Sequence, residues 1–219
     1  MNPVIHIFGN PAAGRLLIQP VDERELEGID QEIALIREMN GGPDFCLAAL
    51  VVNDWNKDLS PWPAPPVFGK EGFGDGAEDM LGFILKEVIP EADRAYGGSE
   101  RKYILGGYSL AGLFALWAGC QTDRFSGIAA ASPSVWFPGF TGYMRENPMR
   151  AEAVYLSLGD REEKTRNRVM ARVGEAIREG YSFLKDAGIC CALEWNEGNH
   201  FREPDRRTAK AFAWVMRHV

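Results

Sequence analysis

The chain has 219 residues, 46% hydrophobic and 25% charged, a size and balance suited to one domain around a single buried core. Its formal net charge of −7 argues against a nucleic-acid partner, because phosphate binding needs grouped Lys and Arg that release counterions. No apolar run reaches the ~18–20 residues of a membrane span, and Met1–Asn10 lacks the charged start and long apolar stretch of a signal peptide. Cys46, Cys120, Cys190 and Cys191 follow neither a disulfide framework nor a metal knuckle, so a cytoplasmic protein away from membranes is expected.

Seven short apolar runs read as strands: Val4–Phe8, Leu16–Val21, Phe45–Val52, Lys102–Gly106, Gly127–Ala131, Ala153–Leu158 and Ile189–Trp195. Most are apolar nearly throughout, as strands covered on both faces of a parallel sheet must be. Helical periodicity falls between them. Glu23–Met39 aligns Leu26, Ile29, Ile33 and Ile36, and Ala77–Ile89 aligns Met80, Leu81, Ile84, Leu85 and Val88 with Pro90 as its stop. Leu110–Cys120 is apolar nearly all round and predicts a buried helix; Thr165–Ala187 and Thr208–Val219 are amphipathic. This alternation predicts one α/β domain over residues 1–219, with a mostly parallel central sheet and helices on both faces.

The exception is Asn53–Gly76, whose prolines forbid an ordinary helix or central strand and which reads as a binding loop or lid. The basic cluster Arg202, Arg206, Arg207 and Lys210 is interleaved with Glu203 and Asp205, and reads as a solvated helix face. Gly72-Phe73-Gly74-Asp75-Gly76 lacks the spacing and the preceding strand of a dinucleotide site.

The segment that carries chemistry is Tyr103-Ile104-Leu105-Gly106-Gly107-Tyr108-Ser109-Leu110-Ala111-Gly112. An apolar strand enters Gly-x-Ser-x-Ala and leaves directly into a buried helix, the context in which a serine on a sharp turn becomes a nucleophile. Gly107 and Ala111 are small enough for the chain to pass close to itself. The helix start beyond Ser109 turns free N–H groups toward the site, so Leu110 N–H is a candidate oxyanion donor.

Of the three histidines, His6 lies in a strand and His218 near the end of the last helix. His200 lies in a turn-rich loop after the last strand, at the sheet end where the crevice of an open α/β sheet forms. It is the candidate general base. The acid belongs between Ser109 and His200 in chain order, after a strand. Gly159-Asp160-Arg161-Glu162-Glu163 offers three carboxylates: Glu162 is preferred, then Asp160, then Glu163.

The Gly-Gly-Tyr-Ser-Leu-Ala-Gly-Leu-Phe-Ala-Leu-Trp stretch, Ser132-Pro133-Ser134-Val135-Trp136 and Gly198-Asn199-His200-Phe201 resemble the esterase family of α/β-hydrolases. That group includes the esterase D-like and ferric-siderophore esterases. The resemblance implies the single-domain α/β-hydrolase fold, with the chain too short for the family's separate cap domain, hydrolysis of a small carboxylic ester, and no cofactor. It places the nucleophile on Ser109, the base on His200 and the acid on the Gly159–Glu163 turn, with Glu162 at the usual offset. It also places a second oxyanion N–H near Val21 or Asp22, where Pro20 departs from the family's His-Gly-Gly-like turn.

Trp55, Trp62 and Phe68 on the long loop, with Trp136 and Phe137, are candidates for an aromatic wall beside Ser109, and Asp54 and Asp58 for polar contacts. No metal ligand spacing occurs. The alternatives are an acyltransferase or peptidase using the same three groups, and a non-catalytic ligand-binding protein on a hydrolase fold. The partner expected is a small-molecule ester, and a homo-oligomer is compatible with the sequence.

Overall fold

The computed structural model describes residues 3–67, 69–98 and 100–219; Phe68 of the expected aromatic wall lies outside them. Seven strands form one sheet: β1 (Val4–Gly9), β2 (Arg15–Val21), β3 (Cys46–Val51), β4 (Lys102–Tyr108), β5 (Gly127–Ala131), β6 (Ala153–Gly159) and β7 (Cys190–Asn196). Their order is β1-β3-β2-β4-β5-β6-β7. Only β1 is antiparallel, paired with β3, and every other neighbour pair is parallel. Each strand expected from the sequence is present, its ends displaced by no more than one or two residues.

The helices depart from expectation at their ends, each time for a local reason. Glu23–Met39 is two helices, α1 (Glu23–Glu27) and α2 (Ile29–Asn40), divided at Gly28. Asp22 caps α1 reciprocally with Glu25, and glycine is a poor residue through which to propagate helix. Next come α3 (Trp55–Asp58) and α4 (Ala77–Phe83). Pro90 does not stop the helix after α4. The chain widens into a π turn over Ile84–Val88, with Ile89 N–H on Ile84 O, and continues as α5 (Ile89–Asp93) with Pro90 in its first turn. A proline ring clashes with the carbonyl four residues back in an ordinary helix, and the wider turn relieves that clash.

After α6 (Leu110–Gln121) a short helix that periodicity did not reveal, α7 (Phe140–Glu146), follows Gly139. The helix expected from Thr165 begins only at Val173, as α8 (Val173–Asp186). Asn167 intervenes: its Oδ1 accepts from the N–H groups of Val169 and Met170, and its Nδ2 donates to Val67 O. Val169, at helical spacing with the buried Val173, Ile177 and Leu184, is exposed. α9 (Pro204–Met216) starts four residues before the expected Thr208, with Pro204 in its first turn.

Strand alternation sends side chains to two apolar layers. Leu16 and Ile18 of β2 join Leu105 of β4 and the faces of α4, α6 and α8, while Leu17 and Val21 join Ile104, α2 and α9. α6 is buried from Leu110 to Cys120, as its uniform apolarity requires. The Asn53–Gly76 excursion is itself folded. It contains α3, an Ala64–Phe73 bridge and a buried Leu59, and its backbone is tied by Gly74 N–H to Asn56 O and Gly76 N–H to Lys57 O.

Candidate active site

The candidate residues Ser109, Glu162 and His200 follow the carboxyl ends of β4, β6 and β7, where parallel strands leave a crevice. Ser109 occupies the one-residue turn between β4 and α6 with φ 57° and ψ −118°, a backbone conformation rare for a side-chain-bearing residue. Its N–H is held by Ala131 O of β5, and its carbonyl accepts from Leu113 and Ser134. A Cβ placed on Gly107 would lie 2.6 Å from the Ala111 methyl, so the two small residues bracketing Ser109 are a steric requirement.

His200 reaches over from the loop after β7. Its Nε2 is 3.0 Å from Ser109 Oγ and its Nδ1 is 2.7 Å from Glu162 Oε2. Both Ser109 and His200 are half-buried, and Glu162 is buried. Glu162 lies three residues past the Gly159 at the end of β6, where the chain turns so tightly that Gly159 N–H donates to Glu162 Oε1 at 2.7 Å. A Cβ on Gly159 would meet Gly198 O at 2.4 Å, so the loops carrying the carboxylate and the imidazole pack backbone against backbone. Burial pushes the Glu162 carboxyl up, but hydrogen bonds from His200, Gly159 and Ser132 outweigh it and hold the group below its ordinary value.

Sequence periodicity placed Arg207 on a solvated face; in the fold its side chain is 3% exposed. Its Nη1 lies 3.0 Å from Glu162 Oε1 and also donates to Tyr108 Oη and Ser132 Oγ, while Nη2 donates to the carbonyls of Glu197 and Asn199. The amphipathic pattern of α9 concealed this, since a guanidinium buried by pairing with a carboxylate carries the same letter as a solvated one. Ser132 and Ser134, earlier only part of a motif, also lie here: Ser132 Oγ donates to Glu162 at 2.9 Å, and Ser134 Oγ is 3.2 Å from Ser109 Oγ.

Other candidates are placed elsewhere. Asp160 accepts from Gly198 N–H at 2.7 Å, and Glu163 pairs with Arg178, so neither meets the imidazole. Leu110 is the first helical residue of α6, so its N–H has no acceptor within the helix. Val21 is paired with β3, accepting from Val52 N–H, and Asp22 N–H is 3.1 Å from Glu25 Oε2. Trp62 donates to Pro138 O and packs on Phe137, Phe140 and Tyr143, while Trp55 opens α3 against the core; both anchor the long loop. Asp54 caps α3, and Asp58 is buried facing Asp54 N–H. Trp136 alone of the three tryptophans borders the cavity of about 310 Å³ beside His200, together with Met170, Val173, Phe201, Arg161 and Lys164. Phe201 is 85% exposed and meets the His200 ring edge-on.

Sheet order, the strained serine turn and the helices on both faces are those of an α/β-hydrolase, and the chain has that fold. It is similar over 97% of its length to the siderophore hydrolase EstA from Aspergillus nidulans, with 19% identity, a TM-score of 0.76 and 89% of that chain covered. The IroE-like serine hydrolase from Shewanella oneidensis gives 16% identity and a TM-score of 0.72, over 97% of this chain and 73% of the other. The enterobactin esterase FES from Shigella flexneri gives 16% and 0.70, with 98% of this chain matching 55% of that longer protein. No family model and no curated protein sequence matches the chain. No helix among the described residues is long and apolar enough to cross a membrane.

Proposed function

We propose that this protein is a serine hydrolase that cleaves small carboxylic esters, with Ser109 as nucleophile, His200 as general base and Glu162 as the acid that orients it. The observation that carries this reading is the continuous chain from Ser109 Oγ to His200 Nε2 at 3.0 Å and from His200 Nδ1 to Glu162 at 2.7 Å. His200 takes the Ser109 proton as Oγ attacks the ester carbonyl, then gives it to the departing alcohol. Water, deprotonated by His200, cleaves the acyl-serine and restores the free hydroxyl. Leu110 N–H is one donor to the tetrahedral oxyanion. The second is assigned to the Val21–Asp22 turn, Asp22 N–H exchanging the Glu25 carboxylate for the oxyanion.

The substrate side of the reading rests on the cavity beside His200, apolar on the walls formed by Trp136, Met170 and Val173. Its neighbours in fold include siderophore hydrolases and an enterobactin esterase, so siderophore-type esters belong in the substrate panel.

The test is turnover of short-chain p-nitrophenyl esters by wild type, Ser109→Ala and His200→Ala, with fluorophosphonate labelling alongside. Turnover by wild type, loss of about 10³-fold or more in either variant and label on Ser109 are expected. A wild type that neither turns over nor labels would overturn the reading and favour a ligand-binding role on the same fold.

A further inference from the structure

We propose that Arg207 is a positioning residue of this site: it divides the charge of Glu162 with His200 and locks the His200 loop to the acid. The assignment rests on the Ser109–His200–Glu162 reading.

The geometry has two parts. Electrostatically, the two Glu162 oxygens serve different partners, Oε2 facing His200 Nδ1 at 2.7 Å and Oε1 facing Arg207 Nη1 at 3.0 Å. Mechanically, the other guanidinium nitrogen donates at 3.1 Å to both Glu197 O and Asn199 O, the main chain on which His200 is mounted. Tyr108 completes the clamp. Its hydroxyl accepts from Arg207 and donates to His200 O at 2.7 Å, and burial pushes its ionisation up to about 12, so the donor proton stays in place. Only a planar fork can serve carboxylate, hydroxyl and two carbonyls together; an ammonium presents a point charge without that geometry.

Stability alone is a poor reason for this arrangement, because buried ion pairs often contribute little net stabilisation over apolar packing. The consequence for catalysis is specific. A buried carboxylate facing only the imidazole favours the protonated ring over the free base. A permanent cation on the other oxygen opposes that. The charged and titratable groups packed around the pair are Tyr108 from β4, Arg207 from α9, and Arg161 and Lys164 from the segment after β6. Asp160 is turned to Gly198 N–H. Arg207 alone among these cations touches Glu162.

The experiment compares wild type, Arg207→Met, Arg207→Lys and Tyr108→Phe by the pH profile of kcat/KM on a neutral p-nitrophenyl ester. NMR titration of the three histidine ring signals runs in parallel. In Arg207→Met the acid limb should move up by about one pH unit, a tenfold loss on that limb, with kcat falling more than KM changes. Arg207→Lys keeps the charge and should return the limb to its wild-type position while recovering only part of kcat. Tyr108→Phe disturbs the clamp without changing charge, so the limb should stay while kcat falls. Should Arg207→Met not fold, Arg207→Gln is read the same way. An unmoved limb and an unmoved His200 signal in the neutral variant, with wild-type turnover present, overturn this proposal alone. A shifted His200 signal in a protein without esterase activity overturns the hydrolase reading and leaves the charge division standing.

Discussion

Glu162 and Asp160 differ by two positions and by nearly everything that matters to an imidazole. Glu162 is buried, accepts four hydrogen-bond donors and faces His200; Asp160 is exposed and holds Gly198 N–H. Glu162→Gln should therefore lower kcat by about 10²–10⁴-fold, since the amide cannot stabilise the imidazolium or fix its tautomer. Asp160→Asn should leave turnover within a few-fold, and steady-state kinetics on one ester decides between them. Sequence reasoning singled out Ser109 and His200 as candidates because each is the sole residue of its type in the right strand–turn context, and the fold brings the two together. It left the candidate acid among three, with Glu162 first, because spacing does not say which carboxylate a tight turn folds inward; the fold brings Glu162 to the imidazole. Arg207 was out of reach for a related reason: burial of a charge is decided by its partner, and the partner lies 45 positions away.

At the scale of elements, the most consequential departure from periodicity is the segment between β6 and α8. A helix from Thr165 was expected; Asn167 instead caps a 3₁₀ turn over Met170–Arg172 that leads into α8, and ties it to Val67 of the long loop. The segment borders the cavity with Thr165 and Met170, and Arg161 and Lys164 just before it line the same cavity, neither with a carboxylate within 4 Å among the described residues. Unpaired cations beside a half-enclosed apolar wall favour esters that carry a negative charge. The ratio of kcat/KM for p-nitrophenyl hemisuccinate to that for p-nitrophenyl acetate should fall about tenfold in Arg161→Ala/Lys164→Ala, and raised salt should compress it in wild type. The serine turn makes a second element-scale prediction. Gly107→Ala puts a methyl 2.6 Å from Ala111 and should destabilise the protein by about 1–3 kcal/mol, read as a lowered denaturation midpoint.

Over the whole molecule, sheet and layers were legible because parallel strands must be apolar on both sides, and a run of five to seven such residues leaves little else to be. Helix ends were not, since caps, a π turn and side-chain-to-backbone bonds override the pattern locally. The molecule's charge has a similar hidden asymmetry. Burial, then the charges of Asp22 and Asp205, raises Glu25 from 4.5 to about 7, and burial raises Glu32 and Asp205 as well. Between about 4.5 and 7 the folded chain keeps a proton on Glu25 that the unfolded chain has released, so stability falls as pH rises through that window. Glu162, Glu163 and Glu194 are lowered instead, and their contribution is lost as acid protonates them below the ordinary carboxylate value. Thermal melts should thus give a higher Tm at pH 6 than at pH 8, and Glu25→Gln should raise Tm at pH 8 and narrow that gap. An unchanged gap would count against Glu25 as its source.

Ser109 and His200 stand 91 positions apart, and Arg207 follows both. During synthesis the serine is therefore made well before the histidine that meets it and the guanidinium that ties down the histidine's loop. A half-built or locally opened chain holds an ordinary alcohol. On the proposed reading, the hydroxyl gains its general base only once the loop between β7 and α9 is in place over the serine turn.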